Sequence, residues 1–391
     1  MNPQDTDLDI VDDGNVVGTI DTADVTKTDE EVEHFIQESI DHMVDIFSVY
    51  EVTYHDDIIY FYGVPKVEAN LIHKHISMYF YNQGYQAFLK YDLGEHVIIV
   101  QLFQPQNKKE RVWVNVALAV VTFFTTMVAG SSLFGFNPIT NPFDIVKGLP
   151  FTLAIMFVLG THEMGHYLMA KRRGMHTSLP YFIPFPTIIG TMGAVIKHKG
   201  QIPNRKALFD VGISGPIVGL VASVIVTIIG LMLPPVLSQV SPAEGAVQIQ
   251  LPFLFEAIAG VLGVELTDTS ILHPVAFAGW VGMLVTALNL LPSGQLDGGH
   301  ILRSMLGEKA AYVSGMLPFM LMSLGLYISL VMGQSGMLWI VWGFFLSLFA
   351  AAGHPAPLDD ENKLDKGRMV LGGVMFVIGI LCVSLVPFQI V

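Results

Sequence analysis

From about residue 112 onward the chain is a succession of apolar runs, and this most narrows what it can fold into. The runs lie at about 112–134, 146–170, 207–233, 273–293, 310–332, 335–353 and 369–391. As helices rising about 1.5 Å per residue, each is long enough to cross a hydrocarbon core of about 30 Å, the 335–353 run only just. Lipid offers no partner for a free backbone N–H or C=O, so such runs must satisfy their own hydrogen bonds as helices. Composition agrees. Only 14% of residues are charged, against about 25% in an ordinary soluble domain, and mean hydropathy is +0.55. The expected fold is predominantly α: a polytopic transmembrane helix bundle of about seven spans plus a re-entrant hairpin, with a small N-terminal α+β soluble domain.

Charge sets the orientation and excludes one class of partner. The basic clusters Lys108-Lys109-Arg111, Lys171-Arg172-Arg173, Arg205-Lys206, Arg303 with Lys309, and Lys363-Lys366-Arg368 all fall on one side of a seven-span arrangement. By the positive-inside rule that side is the cytoplasm. The chain is therefore expected in the cell membrane as a multi-pass protein with its N-terminal domain cytoplasmic and Val391 outside. A net charge of −14 leaves no basic face for nucleic acid. The single cysteine, Cys382, excludes an intramolecular disulfide and a cysteine-based zinc site.

Before the first run, three stretches differ in character. Residues 1–28 carry Asp5, Asp7, Asp9, Asp12, Asp13, Asp21 and Asp24 with little to bury, and are expected to be a disordered acidic tail without a secretory signal. Residues 29–107 read as the cytoplasmic α+β domain. Helical spacing runs from Glu30 to Ser48. Two strands follow within Val49–Val64, turning at His55-Asp56-Asp57. A second helix covers Val67–Asn82, and Ala87–Tyr91 with His96–Phe103 forms a hairpin around Leu93-Gly94. His34, His42, His73, His75 and His96 have surface or packing roles there. The remainder, 112–391, is the membrane domain.

Two stretches of the membrane domain are not simple spans. Leu179–Gly200 is apolar but broken by Pro180, Pro184, Pro186, Gly190 and Gly193, which suits a re-entrant or interfacial hairpin covered by protein or lining a wet cavity. Between Pro234 and Leu272 an external loop contains a candidate interfacial helix at 251–262.

His162-Glu163-Met164-Gly165-His166 lies near the end of the second run. On a helix the two histidines stand one turn apart on one face, able to ligate one zinc, and the Glu can reach water at the metal as a general base. Ionisable groups at bilayer depth are costly and normally face a functional cavity. A catalytic zinc needs a third protein ligand. Asp297, in Asn289-Leu290-Leu291-Pro292-Ser293-Gly294-Gln295-Leu296-Asp297-Gly298-Gly299-His300, is the best remaining carboxylate. Pro292 and Gly294 should interrupt the helix there, and Gly298-Gly299 should allow a tight turn beside the carboxylate. The competing reading of Asp297 is a cap for the helix that follows.

Together HEMGH and NLLPSGQLDGG resemble the site-2 protease family of intramembrane zinc metalloproteases. The runs GTMGA and IPNRKALFDVGISGP are similar to its archaeal, cyanobacterial and chloroplast branch. The resemblance covers about 112–391 and implies one zinc per chain, held by His162, His166 and Asp297, with Glu163 as catalytic acid/base. It makes Asn289 a second catalytic residue, polarising the scissile carbonyl or holding the oxyanion. It assigns Gly190, Thr191, Met192, Gly193 and Ala194 to an element that pairs with an extended substrate. The implied partners are membrane-anchored proteins with a transmembrane helix, within the lipid bilayer. No PDZ-like insertion follows the third run, and the N-terminal α+β domain is a separate attachment.

Two alternatives remain. A CAAX-type membrane zinc protease would take a downstream Glu as third ligand in place of Asp297. An inactive scaffold or transport protein would need none of the four polar residues together. Among the lesser candidates, His300 suits either support of a ligand or an interfacial place, and His176 and His198 suit interfacial places. His273 and His354 lie at span ends. Asp210 is expected to pair with Arg205 or Lys206. Gly215-Pro216 and Gly219 suggest close helix packing or a kink, and the Met-rich stretch near 315–332 suggests packing or a mobile gate.

Overall fold

A computed structural model describes residues 29–55, 58–92, 94–102, 111–199, 202–234, 247–266, 272–351, 357, 360 and 363–390. The expected tail at 1–28, the turn residues Asp56 and Asp57, Leu93, and His354 lie outside them.

The N-terminal unit follows the order α1 (Asp29–Met43), β1 (Phe47–His55), β2 (Ile58–Pro65), α2 (Ala69–Asn82), β3 (Tyr85–Asp92) and β4 (Glu95–Leu102). Its strands form one antiparallel sheet in the order β1-β2-β4-β3. Alternation along the strands puts Ile59, Phe61, Ala87, Leu89, Ile98 and Val100 into a core with Phe35, Ile72, Ile76 and Phe80. The first helix ends at Met43, five residues short of the expected Ser48. Phe47 is instead the first residue of β1, opposite Pro65 and 1% exposed. Burial in the sheet core overrides the helical spacing that Phe47 completes in sequence.

The rest is a multi-pass helical assembly. It runs through α3 (Val112–Leu133), a 3-10 turn at Pro142–Gly148 leading into α4 (Leu149–Arg172), β5 (His176–Thr177), β6 (Tyr181–Pro184), β7 (Thr191–Val195) and β8 (His198–Lys199). There follow α5 (Arg205–Met232), β9 (Val247–Ile249), α6 (Phe253–Leu262), α7 (Pro274–Asn289), α8 (Asp297–Leu306), α9 (Ala310–Leu330), α10 (Met337–Ala351), α11 (Lys366–Leu381) and β10 (Phe388–Ile390). Helices lie at all seven expected positions, but among the described residues only four continuous rods are long and apolar enough to cross a membrane: Val112–Leu133, Pro142–Arg172, Arg205–Met232 and Asp297–Leu330. The fourth joins α8 to α9 through a 3-10 turn. α7, α10 and α11 have 16, 15 and 16 residues, below the roughly 20 that a straight crossing needs. α7 differs from the other two in being enclosed by its neighbours. It is the centre of the bundle, with 14 of its residues buried and α4 and α5 packed against it. It is hydrophobic all round, as a fully surrounded helix must be.

The proline- and glycine-broken stretch folds as a β-hairpin. β5 pairs with β8 at its base and β6 with β7 beyond it, both antiparallel, with a register irregularity between Phe182 and Pro184. The loop helix is present as α6, burying Phe255 and Ala259 while Phe253 and Val261 stay exposed. β9 pairs with β10, so the segment before α6 and the last described residues close on each other.

Arginine–aspartate nodes tie helix ends together. Asp210 on α5 is met by Arg173 at the end of α4 and by Arg368 on α11, at 2.7 and 2.9 Å in the latter case. Asp360 is met by Arg205 at 2.6 Å and by Arg303 at 2.7 and 3.0 Å. The expected pairing of Asp210 with Arg205 or Lys206 is therefore corrected. Arg205 stands five positions before Asp210, so the two point to different sides of α5, and each finds its partner on another segment, Arg205 on Asp360 and Asp210 on Arg173 and Arg368.

Candidate metal centre

α4 begins with Pro150 in its first turn, where a missing N–H costs nothing. Its apolar sequence is interrupted by His162, Glu163 and His166, all buried at 4%, 7% and 5% exposure. α5 lies directly against that face. A Cβ on Gly215 would fall 2.0 Å from His166 Nε2, and one on Gly219 would fall 2.7 Å from His162 Nδ1. Only hydrogen fits at these two positions, so the expected close packing at Gly215 and Gly219 is packing onto the imidazoles themselves.

The approach also fixes a tautomer. His166 Nδ1 lies 2.8 Å from the carbonyl oxygen of Val211. A carbonyl only accepts, so Nδ1 carries the proton and Nε2 presents a lone pair. Pro216 sits inside α5 and has no N–H to return to the carbonyl of Gly212, which loosens the helix next to the histidines.

The third side of the centre comes from the end of α7. That helix stops at Asn289, the chain turns through Leu290–Leu296, and Asp297 is the first residue of α8. The tight turn is made by Gly294 (φ +53°), whereas Gly298 and Gly299 lie inside α8. They serve close approach instead: a Cβ on Gly298 would stand 2.2 Å from the carbonyl oxygen of Leu290. This lets α8 fold back against the end of α7 and aims Asp297 at α4.

The result is a compact triangle. His162 Nε2 and His166 Nε2 are 3.2 Å apart, and each is 3.2 Å from an oxygen of Asp297. Among the described residues this is the one group of three or more ligating side chains. Donor atoms around a tetrahedral zinc at about 2.0–2.1 Å stand about 3.3 Å from one another. The two-nitrogen, one-oxygen set thus fits a zinc with a fourth position open. Asn289 Nδ2 is 3.4 Å from His162 Nε2, which places that amide at the rim. The backbone N–H of Ile196, the residue after β7, faces the Glu163 carboxylate.

The structure thus brings together His162, Glu163, His166, Asn289 and Asp297 from three separated helices. Gly190–Ala194 lies at the tip and second strand of the hairpin that reaches Glu163. His300 packs against Gly212 and is not part of the triangle. His273 caps α7, its Nδ1 accepting the N–H of Val275 at 3.1 Å. Sequence reasoning passed over Asn115 and Thr125 on α3, which bond the hairpin, and Ser314 on α9, whose hydroxyl donates to the carbonyl of Pro292 at 3.0 Å. A signal existed. Asn115, Thr122 and Thr126 recur at helical spacing on one face of an otherwise apolar helix, and all three are buried.

A protein-family profile described as Peptidase family M50 matches residues 150–330. Among curated proteins the chain is similar to "Probable zinc metalloprotease EGY1, chloroplastic" of Arabidopsis thaliana, with 29% identity over 60% of this chain and 42% of that protein. It is 34% identical to "Probable zinc metalloprotease EGY2, chloroplastic" of the same plant, over 58% of this chain and 40% of the relative. With EGY2 of Oryza sativa subsp. indica it shares 29% identity over 75% and 53%. The chain thus spans about half the length of these relatives. No solved structure matches it.

Proposed function

From the premise that the chain belongs to peptidase family M50, the site-2 protease family, we propose that it is an intramembrane zinc endopeptidase. It hydrolyses peptide bonds within transmembrane segments of membrane-anchored proteins. The observation that carries this reading is the triangle of His162, His166 and Asp297, with Glu163 and Asn289 beside it, inside a bundle of apolar helices.

His162, His166 and Asp297 would hold a zinc ion, which when bound would supply Lewis acidity to lower the pKa of water and polarise a carbonyl. Glu163 takes the proton of the attacking water and hands it to the leaving amine nitrogen. Asn289 Nδ2 donates to the carbonyl oxygen as negative charge builds on it. Val211 holds the His166 ring, so the ligand does not turn when charge changes nearby.

A substrate helix hides its carbonyls in its own i→i−4 bonds and must unwind before attack. β7 is paired only with β6 among the described residues, so its other edge can take up the freed backbone by strand addition. Residues 29–107 form a separate domain on the side that carries the basic clusters, which the positive-inside rule makes cytoplasmic. There it serves as a docking module for partners.

The test uses purified full-length protein and single-span substrates, comparing wild type with Glu163→Gln and reading products by mass spectrometry. Cleavage within the span by wild type alone is the expected result. Chelation should abolish it and added zinc restore it. Equal cleavage by both proteins would remove Glu163 from the reaction.

A further inference from the structure

The β6–β7 hairpin is hung on α3 at two levels. Near the start of the helix, Asn115 Nδ2 donates to the carbonyls of Leu179 and Pro180 at 2.8 and 3.1 Å, where the chain enters the hairpin. Ten residues along, about 15 Å deeper, Thr125 Oγ1 donates to the carbonyl of Gly190 at 2.6 Å, at the hairpin tip. The tip is pressed against the helix. Gly190 has φ +80°, and a Cβ there would lie 2.5 Å from the carbonyl oxygen of Thr125. These contacts fix how far the hairpin reaches along α3.

A third side chain fixes its register. The pairing of β6 and β7 is irregular between Phe182 and Pro184, and Gly193 opposite has φ +108°. The Thr191 hydroxyl bridges this irregularity, accepting the N–H of Gly193 at 3.0 Å and donating to the carbonyl of Ile183 at 2.8 Å. It replaces the ladder bonds that the bulge interrupts. One residue past the strand, the N–H of Ile196 faces the Glu163 carboxylate, and β7 packs against α4, the helix that carries Glu163. The strand edge and the base thus lie side by side.

We propose that Asn115, Thr125 and Thr191 are positioning residues that select the scissile bond. Together they hold the free edge of β7 at a set depth and register relative to Glu163. This inference rests on the proteolytic reading above. A substrate strand added to β7 takes its register from the N–H and C=O groups of that edge. Moving the edge therefore brings a different carbonyl before Glu163 without altering the metal ligands. Asn115 and Thr125 lie outside the residues that the family profile matches.

The test maps the product ends made from one single-span substrate by full-length wild type, Thr125→Val, Thr125→Ser, Asn115→Leu and Thr191→Val. Hydrogen exchange at 190–196 and zinc content are measured on the same preparations. Wild type and Thr125→Ser should cut at the same bond. Thr125→Val and Asn115→Leu should spread cleavage over bonds about two residues away, the side-chain repeat of a strand. Total turnover should fall no more than about ten-fold, with faster exchange at 190–196 and unchanged zinc. Thr191→Val should broaden the sites with less effect on tip exchange. An unshifted cut with unchanged exchange in Thr125→Val and Asn115→Leu would overturn the inference and leave the protease reading intact. So would loss of turnover with no displaced cut while zinc is kept. If wild type cuts no substrate, the protease reading falls and this inference falls with it.

Discussion

Two aspartates within the same bundle face opposite kinds of partner. Asp297 is met by His162 and His166 at 3.2 Å, and Asp210 by Arg173 and Arg368. A guanidinium keeps its charge at any ordinary pH and has no lone pair to give, so the charge of Asp210 is already answered. Its node ties α4, α5 and α11 together and has nothing left with which to hold a cation. Imidazoles can stand neutral with a lone pair each, so Asp297 completes a donor set with room for a metal. Both carboxylates would look alike on a hydropathy plot. The partner decides which is a fastener and which is a site.

The largest expected effect separates the two directly. Asp297→Ala should lose zinc and at least about a thousand-fold in activity, whereas Asp210→Ala should keep zinc, as metal analysis of the purified variants would show. Loss of zinc from both would end the distinction. The next effect is steric. Gly215→Ala pushes a methyl into His166 and should cost about a hundred-fold in turnover, the scale of a 1 Å displacement at a reacting centre. Gly260→Ala has no atom within 4 Å of its new methyl and should be silent. Asn289→Ala should lower kcat by about a hundred-fold with zinc retained, since it borders the triangle without being a corner.

At the other node the expected losses are of stability. Asp210→Ala leaves Arg173 without its carboxylate and Arg368 with Asp365 alone, and should destabilise by about 1–3 kcal/mol, less than for a fully buried pair because Arg173 is partly exposed. A thermal melt in detergent reads it. The smallest effect belongs to Asp365, which caps α11 by accepting the N–H of Arg368 at 3.0 Å. The Arg368 backbone and guanidinium hold its carboxyl below the usual value of 3.8. Its contribution is therefore complete above about that pH and is lost as pH falls through the lower folded value. Acid titration of exchange in the first turn of α11 should show loosening only there, and loosening already at pH 6 would contradict the assignment.

What was legible in the sequence follows from periodicity. The HEMGH spacing places two imidazoles on one helix face whatever surrounds it. The alternation in β2, β3 and β4 predicts the sheet of the N-terminal unit. Harder to read were features in which two distant segments share a requirement. Helical spacing continues through Phe47, but the sheet claims that residue because Pro65 lies opposite it. The run at 273–293 reads as one more crossing, yet α7 stops at Asn289, where the chain turns through Leu290–Leu296 toward the candidate metal centre. Asp210 has basic neighbours in sequence but finds its charges 37 residues before it and 158 after it.

Sequence alone determined the helical class, the apolar runs, the two histidines with their glutamate, and the Asp-Gly-Gly segment as the place to seek a third ligand. These depend on covalent order and helix geometry, which act within a few residues. Only the tertiary structure decided that Asp297 closes the triangle at 3.2 Å, that bare glycines of α5 touch the imidazoles, and that α3 carries the hairpin. Those are facts of packing between segments far apart in the chain. In a bundle of uniformly apolar helices, hydrophobicity gives every face the same weight, so only small residues and a few polar bonds select which faces meet.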